Sequence, residues 1–303
     1  MWKRSRWIVT YSRDRSLVAL SRPWIRVASS ARKGSPNSSE ENPMADGLRV
    51  EIHGNVGAVI MDRPPHNFLN FKQIHDIADA LVAMQNDMSI RCAVLAADGR
   101  SFCAGADFAG DGVGGGDDEV VGGDATLALY QGSGRLFDVT IPIVGAIHGP
   151  AVGGGLGLAM VPDIRITCPD ARFSANFASL GIHQGFGMSV TVPRLLGPSK
   201  AAQVLYSAKR YKGEEAVEIG LADECVPNEE VRDRAFEVAE EIANNAPLAL
   251  RAIKSTLRMG LGDEVREITQ REARIQAELS ATDDAKEGIA SVGERRPGNF
   301  TGK

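Results

Sequence analysis

No C-x-x-C pair occurs in this chain of 303 residues, whose four cysteines (Cys92, Cys103, Cys168 and Cys225) stand far apart. That spacing excludes a zinc knuckle and points to a reducing compartment. The five histidines form no H-E-x-x-H or comparable set, which argues against a catalytic zinc. No G-x-G-x-x-G can be laid over residues 149–160 and no Lys-Ser/Thr follows, so a dinucleotide fingerprint and a P-loop are both missing. Residues 110–123, GDGVGGGDDEVVGG, set acids among glycines without the alternating ligands of an EF-hand, and a surface loop is expected there. Residues 141–162 are almost wholly apolar, yet Pro142, Pro150 and six glycines break them, so no membrane span is expected.

Charge is unevenly placed. Residues 1–43 carry nine Lys or Arg against Asp14, Glu40 and Glu41, and they lack the continuous apolar core of a secretory signal. The chain as a whole is −5, which leaves −11 on residues 44–303, a poor surface for nucleic acid. The basic stretch reads as an extension outside the fold, either a transit peptide or translated sequence ahead of a start at Met44. The corresponding expectations are the cytoplasm, or the mitochondrial matrix if it is a transit peptide.

From Leu48 the pattern becomes regular. Leu48 to Ile52 alternates, His53-Gly54-Asn55 supplies a turn, and Val56 to Met61 is mostly apolar, which predicts a hairpin. After a loop containing Pro64 and Pro65, Phe71, Ile74, Ile77, Ala78 and Leu81 recur at helical spacing, followed by a strand over Ala93 to Ala96. Strand, helix and strand make a right-handed crossover if the strands are parallel, and loops beyond the C-terminal ends of such strands are where open α/β sheets bind ligands. A helix over Thr126 to Phe137 and strands at Ile143 and Ile164 to Thr167 repeat the scheme. Beyond Gly197 the pattern is helical: Lys200 to Ala208, Glu214 to Ile219, Glu229 to Ala243, Pro247 to Met259 and Asp263 to Leu279. In the third of these, Val231, Ala235, Val238 and Ile242 mark one apolar face. These helices have less sheet left to cover, so oligomerisation is expected.

The stretch Pro142 to Asp163, PIVGAIHGPAVGGGLGLAMVPD, is the focus of the chain. It reads strand, tight turn, helix. Three successive glycines leave backbone N–H groups uncovered at a helix N-terminus, a place to hold an oxyanion. The competing reading is a glycine-rich helix that only packs tightly.

Six motifs in order then carry a resemblance. They are Ser101 to Asp107 (SFCAGAD); His148 to Gly155 (HGPAVGGG) with Asp163-Ile164-Arg165; Ala171-Arg172-Phe173 with Leu180-Gly181; Pro193 to Gly197 (PRLLG); Gly213 to Ala216 (GEEA) with Gly220-Leu221-Ala222; and Asp283 to Gly288 (DDAKEG). Over about residues 48–300 the chain resembles the crotonase superfamily, the enoyl-CoA hydratase/isomerase family. The resemblance implies an α/β crotonase fold of repeated ββα units. An acyl-CoA core would span residues 44–200 and a C-terminal helical oligomerisation region residues 201–303. It implies an acyl-CoA thioester substrate, coenzyme A present only as part of that substrate, no other cofactor and no metal. The expected assembly is a homo-oligomer, a trimer or a dimer of trimers.

By the same resemblance the oxyanion donors are the backbone N–H groups of Ala104 and Gly154, and coenzyme A lies on Asn67, Phe68 and Leu69 and on Ala104, Ala106 and Asp107. The carboxylates that family members use for proton transfer fall here on Gly157, Phe177 and Gly185, none of which can transfer a proton. His183, between two of these positions, is the candidate acid/base, with Gln184 or Asn176 assisting; alternatively it caps its loop. His66 reaches the thioester region or solvent. Asp107 fixes its loop, Asp163 reads as structural and Cys103 as a packing residue. Three functions fit: a lyase or isomerase working through a thioester enolate; a thioester hydrolase or decarboxylase; or a non-catalytic acyl-CoA-binding subunit. A polar pocket around His183 favours the first two, and an apolar one sealed by Phe177 and Phe186 the third.

Overall fold

The computed structural model describes residues 47–106 and 123–303, so the basic extension and the glycine-rich stretch at 110–122 lie outside the described residues. The first half runs β1 (Leu48–His53), β2 (Val56–Met61), α1 (Phe71–Asn86), β3 (Cys92–Ala97), α2 (Gly123–Phe137), β4 (Ile143–Ile147), β5 (Ala151–Val152) and α3 (Gly154–Ala159). Next come β6 (Ile164–Thr167), β7 (Arg172–Ser174), α4 (Met188–Leu196), α5 (Pro198–Ser207), β8 (Tyr211–Lys212), α6 (Gly213–Ile219) and β9 (Glu224–Cys225). Four helices close the chain: α7 (Val231–Ala243), α8 (Pro247–Leu257), α9 (Leu261–Ser280) and α10 (Asp283–Glu294).

Six strands form one sheet in the order β1-β2-β3-β4-β6-β9. β1 and β2 are the antiparallel hairpin, turning at Gly54 and Asn55, and every later pairing in this sheet is parallel. The order follows from burial: β2, β3 and β4 are buried at every position, as parallel strands covered on both faces must be. α1 begins at Asn70, whose side chain accepts the Gln73 N–H, and it buries Ile74, Ile77, Ala78 and Leu81, the predicted face. A second sheet, β5-β7-β8, stands beside the glycine triplet; its strands of two or three residues are too short to show a period.

The C-terminal helices divide. α7 packs on β2, β3, β4 and β6 through Val231, Ala235, Ala239 and Ala243, a stripe of small residues that lets helix and sheet approach closely. Of these helices, α7 takes the sheet face that was left to cover. α9 runs along α2, while α8 and the turn after it leave Leu248, Ile253, Leu257 and Met259 exposed. Among the described residues no helix is long and apolar enough to cross a membrane.

One buried ion cluster ties the C-terminal helices to the sheet. Asp163, just before β6, accepts the Ile143 N–H at 2.8 Å and pairs with Lys254 at 2.9 Å and Arg258 at 2.8 Å, so its reading as structural holds. Lys254, only 4% exposed, also donates to the Ile141 carbonyl at 2.7 Å. Asp163→Ala strands two buried cations and is expected to cost about 3–5 kcal/mol in urea denaturation. Burial pulls the Lys254 ammonium down from 10.5 to about 8 in spite of Asp163. Between those values the unfolded chain binds the extra proton, so stability rises with pH across that window. Lys254→Met removes the rise, which denaturation at about pH 7.5 and about pH 9.5 measures on both proteins.

Candidate functional site

Three segments meet at the C-terminal ends of the parallel strands: the loop after β2, the loop after β3, and the turn from β4 into α3. The first two are laced together by backbone and by one side chain. Arg100 N–H donates to the Pro65 carbonyl at 2.8 Å, Ala104 N–H to the His66 carbonyl at 3.0 Å, and Leu69 N–H to the Gly105 carbonyl at 2.8 Å. Asn67, fully buried at φ +49°, accepts the Arg63 N–H and donates to the carbonyls of Asp98 (2.6 Å) and Ser101 (2.8 Å). Its amide is therefore spent on bracing the two loops, not left for coenzyme A as expected.

The second loop in turn lies on the glycine turn. Cys103 N–H donates to the Pro150 carbonyl and Val152 N–H to the Cys103 carbonyl, both at 3.0 Å. A Cβ on Gly155 would stand 2.0 Å from the Cys103 carbonyl oxygen, and one on Gly105 would stand 2.7 Å from the Val152 carbonyl oxygen and 3.6 Å from the Gly154 nitrogen. The glycines are thus required by backbone-to-backbone contact. Gly154 opens α3, where N–H groups have no helical partner, and its N–H has none among the described residues.

The expected second donor needs correcting. Ala104 N–H is occupied by the His66 carbonyl, whereas Ala106 N–H, next to Gly105, has no partner among the described residues. Among the described residues Ala106 and Gly154 thus both have an N–H without a partner, and a Cβ on Gly105 would stand 3.6 Å from the Gly154 nitrogen. Leu69 is buried, and its Cδ1 would lie 3.5 Å from a Cβ on Gly154. Phe68 is half-buried, edge-on to His66 at 5.7 Å. His66 does not simply face solvent, since its Nδ1 lies 3.1 Å from Ser101 Oγ. Asp107 lies outside the described residues. Burial pushes the Cys103 thiol up to about 12, consistent with a packing residue.

The vacant carboxylate positions are filled by aromatic rings. A Cβ on Gly157 would meet Phe186 Cβ at 2.5 Å, and Phe186, at φ +61°, is fully buried. A Cβ on Gly185 would meet the hydroxyl end of Tyr130. Phe177 is buried, its Cζ 3.7 Å from a Cβ on Gly153, where Asn176 Oδ1 also approaches at 3.1 Å. His183 is half-buried, with Nδ1 2.7 Å from the Gln184 carbonyl. In the neutral ring that contact makes Nδ1 the donor and leaves Nε2 with the lone pair. Gln184 donates to Ser189 Oγ at 3.0 Å rather than standing free.

Behind these residues is a carboxylate that sequence reasoning did not single out. Glu272 on α9 is fully buried and accepts the N–H groups of Gly187 (2.8 Å) and Ser189 (2.9 Å), and Gln276 donates to the His183 carbonyl at 3.0 Å. Burial raises the Glu272 carboxyl above its ordinary value, against the pull of those N–H groups. The signal was available, since Glu272 shares a buried helical stripe with Val265, Thr269 and Gln276. Together Glu272 and Gln276 hold the segment that carries His183 and Phe186.

The enoyl-CoA hydratase/isomerase family profile matches residues 51–303. A crotonyl-CoA hydratase from Syntrophomonas wolfei is 32% identical over 262 residues, covering 85% of this chain and 99% of that protein. A carnitinyl-CoA dehydratase from Proteus mirabilis is 30% identical over 265 residues, 86% of this chain and all of that protein. The crystal structure of an enoyl-CoA hydratase/isomerase from Pseudoalteromonas atlantica superposes with a TM-score of 0.73 at 26% identity, covering 84% of this chain and all of that one. With its crotonase fold and a family match over most of its length, the chain belongs to the enoyl-CoA hydratase/isomerase family.

Proposed function

We propose that the protein binds an acyl-CoA thioester with its carbonyl oxygen between the N–H groups of Gly154 and Ala106, and stabilises the enolate formed there. The observation that supports this reading is that neither N–H has a partner among the described residues, while Gly105, the residue before Ala106, lies against the glycine turn, a Cβ on it standing 3.6 Å from the Gly154 nitrogen. Fixed backbone donors need no reorganisation as charge develops on the oxygen, which is why such donors count for more in a transition state than in water. His183 Nε2 is the group we assign to proton transfer at the α-carbon. The reaction is of the lyase or isomerase type, and rapid hydration of crotonyl-CoA is not part of it, since Gly157, Phe177 and Gly185 offer neither base nor acid.

The aromatic filling around Gly157 favours a second reading, an acyl-CoA-binding subunit without proton transfer, because Phe186 and Phe177 make that wall apolar. Exchange of α-hydrogens for deuterium in D₂O, followed by mass spectrometry across saturated, enoyl and branched acyl-CoAs, separates the two. Label entering a thioester supports the enolate, whereas binding without label supports the subunit. Gly154→Pro deletes one donor at a first helical position that tolerates proline, where a Cβ makes only ordinary contact with Leu69. Exchange is expected to fall by about 10²–10³-fold.

His183→Ala is expected to abolish label while acyl-CoA binding persists. Unchanged exchange would reduce His183 to a loop cap. Gly157→Glu is expected not to restore hydration of crotonyl-CoA, followed by absorbance, because its Cβ collides with Phe186.

A further inference from the structure

Phe186 is a bulky residue on a backbone that favours glycine. It stands at φ +61° between Gly185 and Gly187, and its ring is fully buried. A ring needed only to fill the core can be supplied from an unstrained position, so a large side chain kept at positive φ points to a constraint on that place. The backbone around it is held from α9. Glu272 accepts the Gly187 and Ser189 N–H groups, and a Cβ on Gly187 would stand 2.8 Å from Val265 Cγ1. From α2 the Tyr130 ring meets Phe186 edge-on, the two centroids 6.4 Å apart.

The ring rests on α3 close to the candidate thioester site. Phe186 Cβ lies 2.5 Å from where a side chain on Gly157 would begin. Gly157 follows Gly154 by three residues, an axial rise of about 4.5 Å, so the ring stands one helical turn from the N–H assigned to the carbonyl oxygen. Phe177 closes the neighbouring side, its Cζ 3.7 Å from a Cβ on Gly153. We infer that Phe186 is the specificity-determining residue of this site and restricts it to short acyl groups, its ring ending the wall a single turn beyond the oxyanion donor. The inference rests on the thioester reading above. Ring and acyl chain are both apolar, so what Phe186 denies a longer chain is volume, and a close-packed wall does not make room without strain. Tyr130 against the ring and Glu272 on the adjoining backbone keep it from turning aside.

Binding of butyryl-CoA and octanoyl-CoA to the full-length protein, measured by calorimetry beside free coenzyme A, tests the assignment. Four further methylenes entering an open apolar pocket tighten binding by about two orders of magnitude. Here octanoyl-CoA is expected to bind no more tightly than butyryl-CoA. Phe186→Gly removes the ring and suits the positive φ, and Phe186→Leu leaves a smaller cavity should the larger one unsettle the fold. In both variants octanoyl-CoA is expected to gain on butyryl-CoA, by about tenfold or more in Phe186→Gly. Octanoyl-CoA about tenfold or more tighter than butyryl-CoA in the unaltered protein, or a ratio of the two unchanged in both variants, would overturn the role of Phe186 and leave the thioester reading in place. Butyryl-CoA held by the unaltered protein no more tightly than free coenzyme A would remove that reading, and this assignment with it.

Discussion

The structure depends on one close contact, the backbone of Phe102–Ala106 lying against the backbone of Ala151–Gly155. Cys103 donates its N–H to the Pro150 carbonyl and accepts the Val152 N–H on its own carbonyl, and no side chain fits at Gly155 or Gly105. Everything at the candidate site follows from that approach. It turns the start of α3 toward the loop after β3, and among the described residues it leaves the N–H groups of Gly154 and Ala106 without acceptors. The price of two uncompensated donors is set against burial elsewhere, since β2, β3, β4 and α3 are buried throughout. A site that holds charge by backbone alone makes few demands on side-chain identity, which leaves the surrounding residues free to diverge.

That freedom is visible in the ring cluster. Phe186 stands where a side chain at Gly157 would go, and the Tyr130 hydroxyl where one at Gly185 would go. These are paired adjustments: a glycine on one element and an aromatic ring from another fill the same volume, so packing density is kept while ionisable groups are absent. Phe186 needs φ +61°, an unfavourable backbone for a residue with a Cβ, and the Gly187 N–H beside it is held by Glu272. Burying a carboxylate to fix a strained turn is intelligible where that turn shapes a pocket wall. The same α9 supplies Gln276 to the His183 carbonyl, so one helix sets the position of both the ring and the imidazole.

Much of this was legible before any coordinates. The alternation of β1, the helical spacing in α1 and the glycine triplet are local patterns, and each element formed as they required. β5, β7 and β8 were not legible because two or three residues cannot display a period, and α10 was not because Asp283 to Gly288 served only as a motif. The donor next to Gly105 was displaced by two residues, from Ala104 to Ala106. Which N–H is free depends on where the His66 carbonyl points, a matter of tertiary contact. Asn67 was placed at coenzyme A by the resemblance alone, which carries over a loop position but not where its side chain points, and here the amide meets two carbonyls.

The two ends of α3 carry opposite chemistry on a helix of six residues, about 9 Å long. Its first N–H faces the candidate thioester site, while the carbonyls just past its last turn, Val161 and Pro162, accept from Arg258 and Arg165. So short an element cannot rely on its own hydrogen bonds for rigidity. Its orientation is fixed by Cys103 at one end and by the arginines around Asp163 at the other. The precision of a backbone oxyanion site therefore rests partly on a buried ion cluster that touches no substrate, and on the C-terminal helix α8 that delivers Lys254 to it. This is a physical reason for the C-terminal helices to be part of the functional unit: without them the glycine turn would keep its sequence and lose the support at its far end.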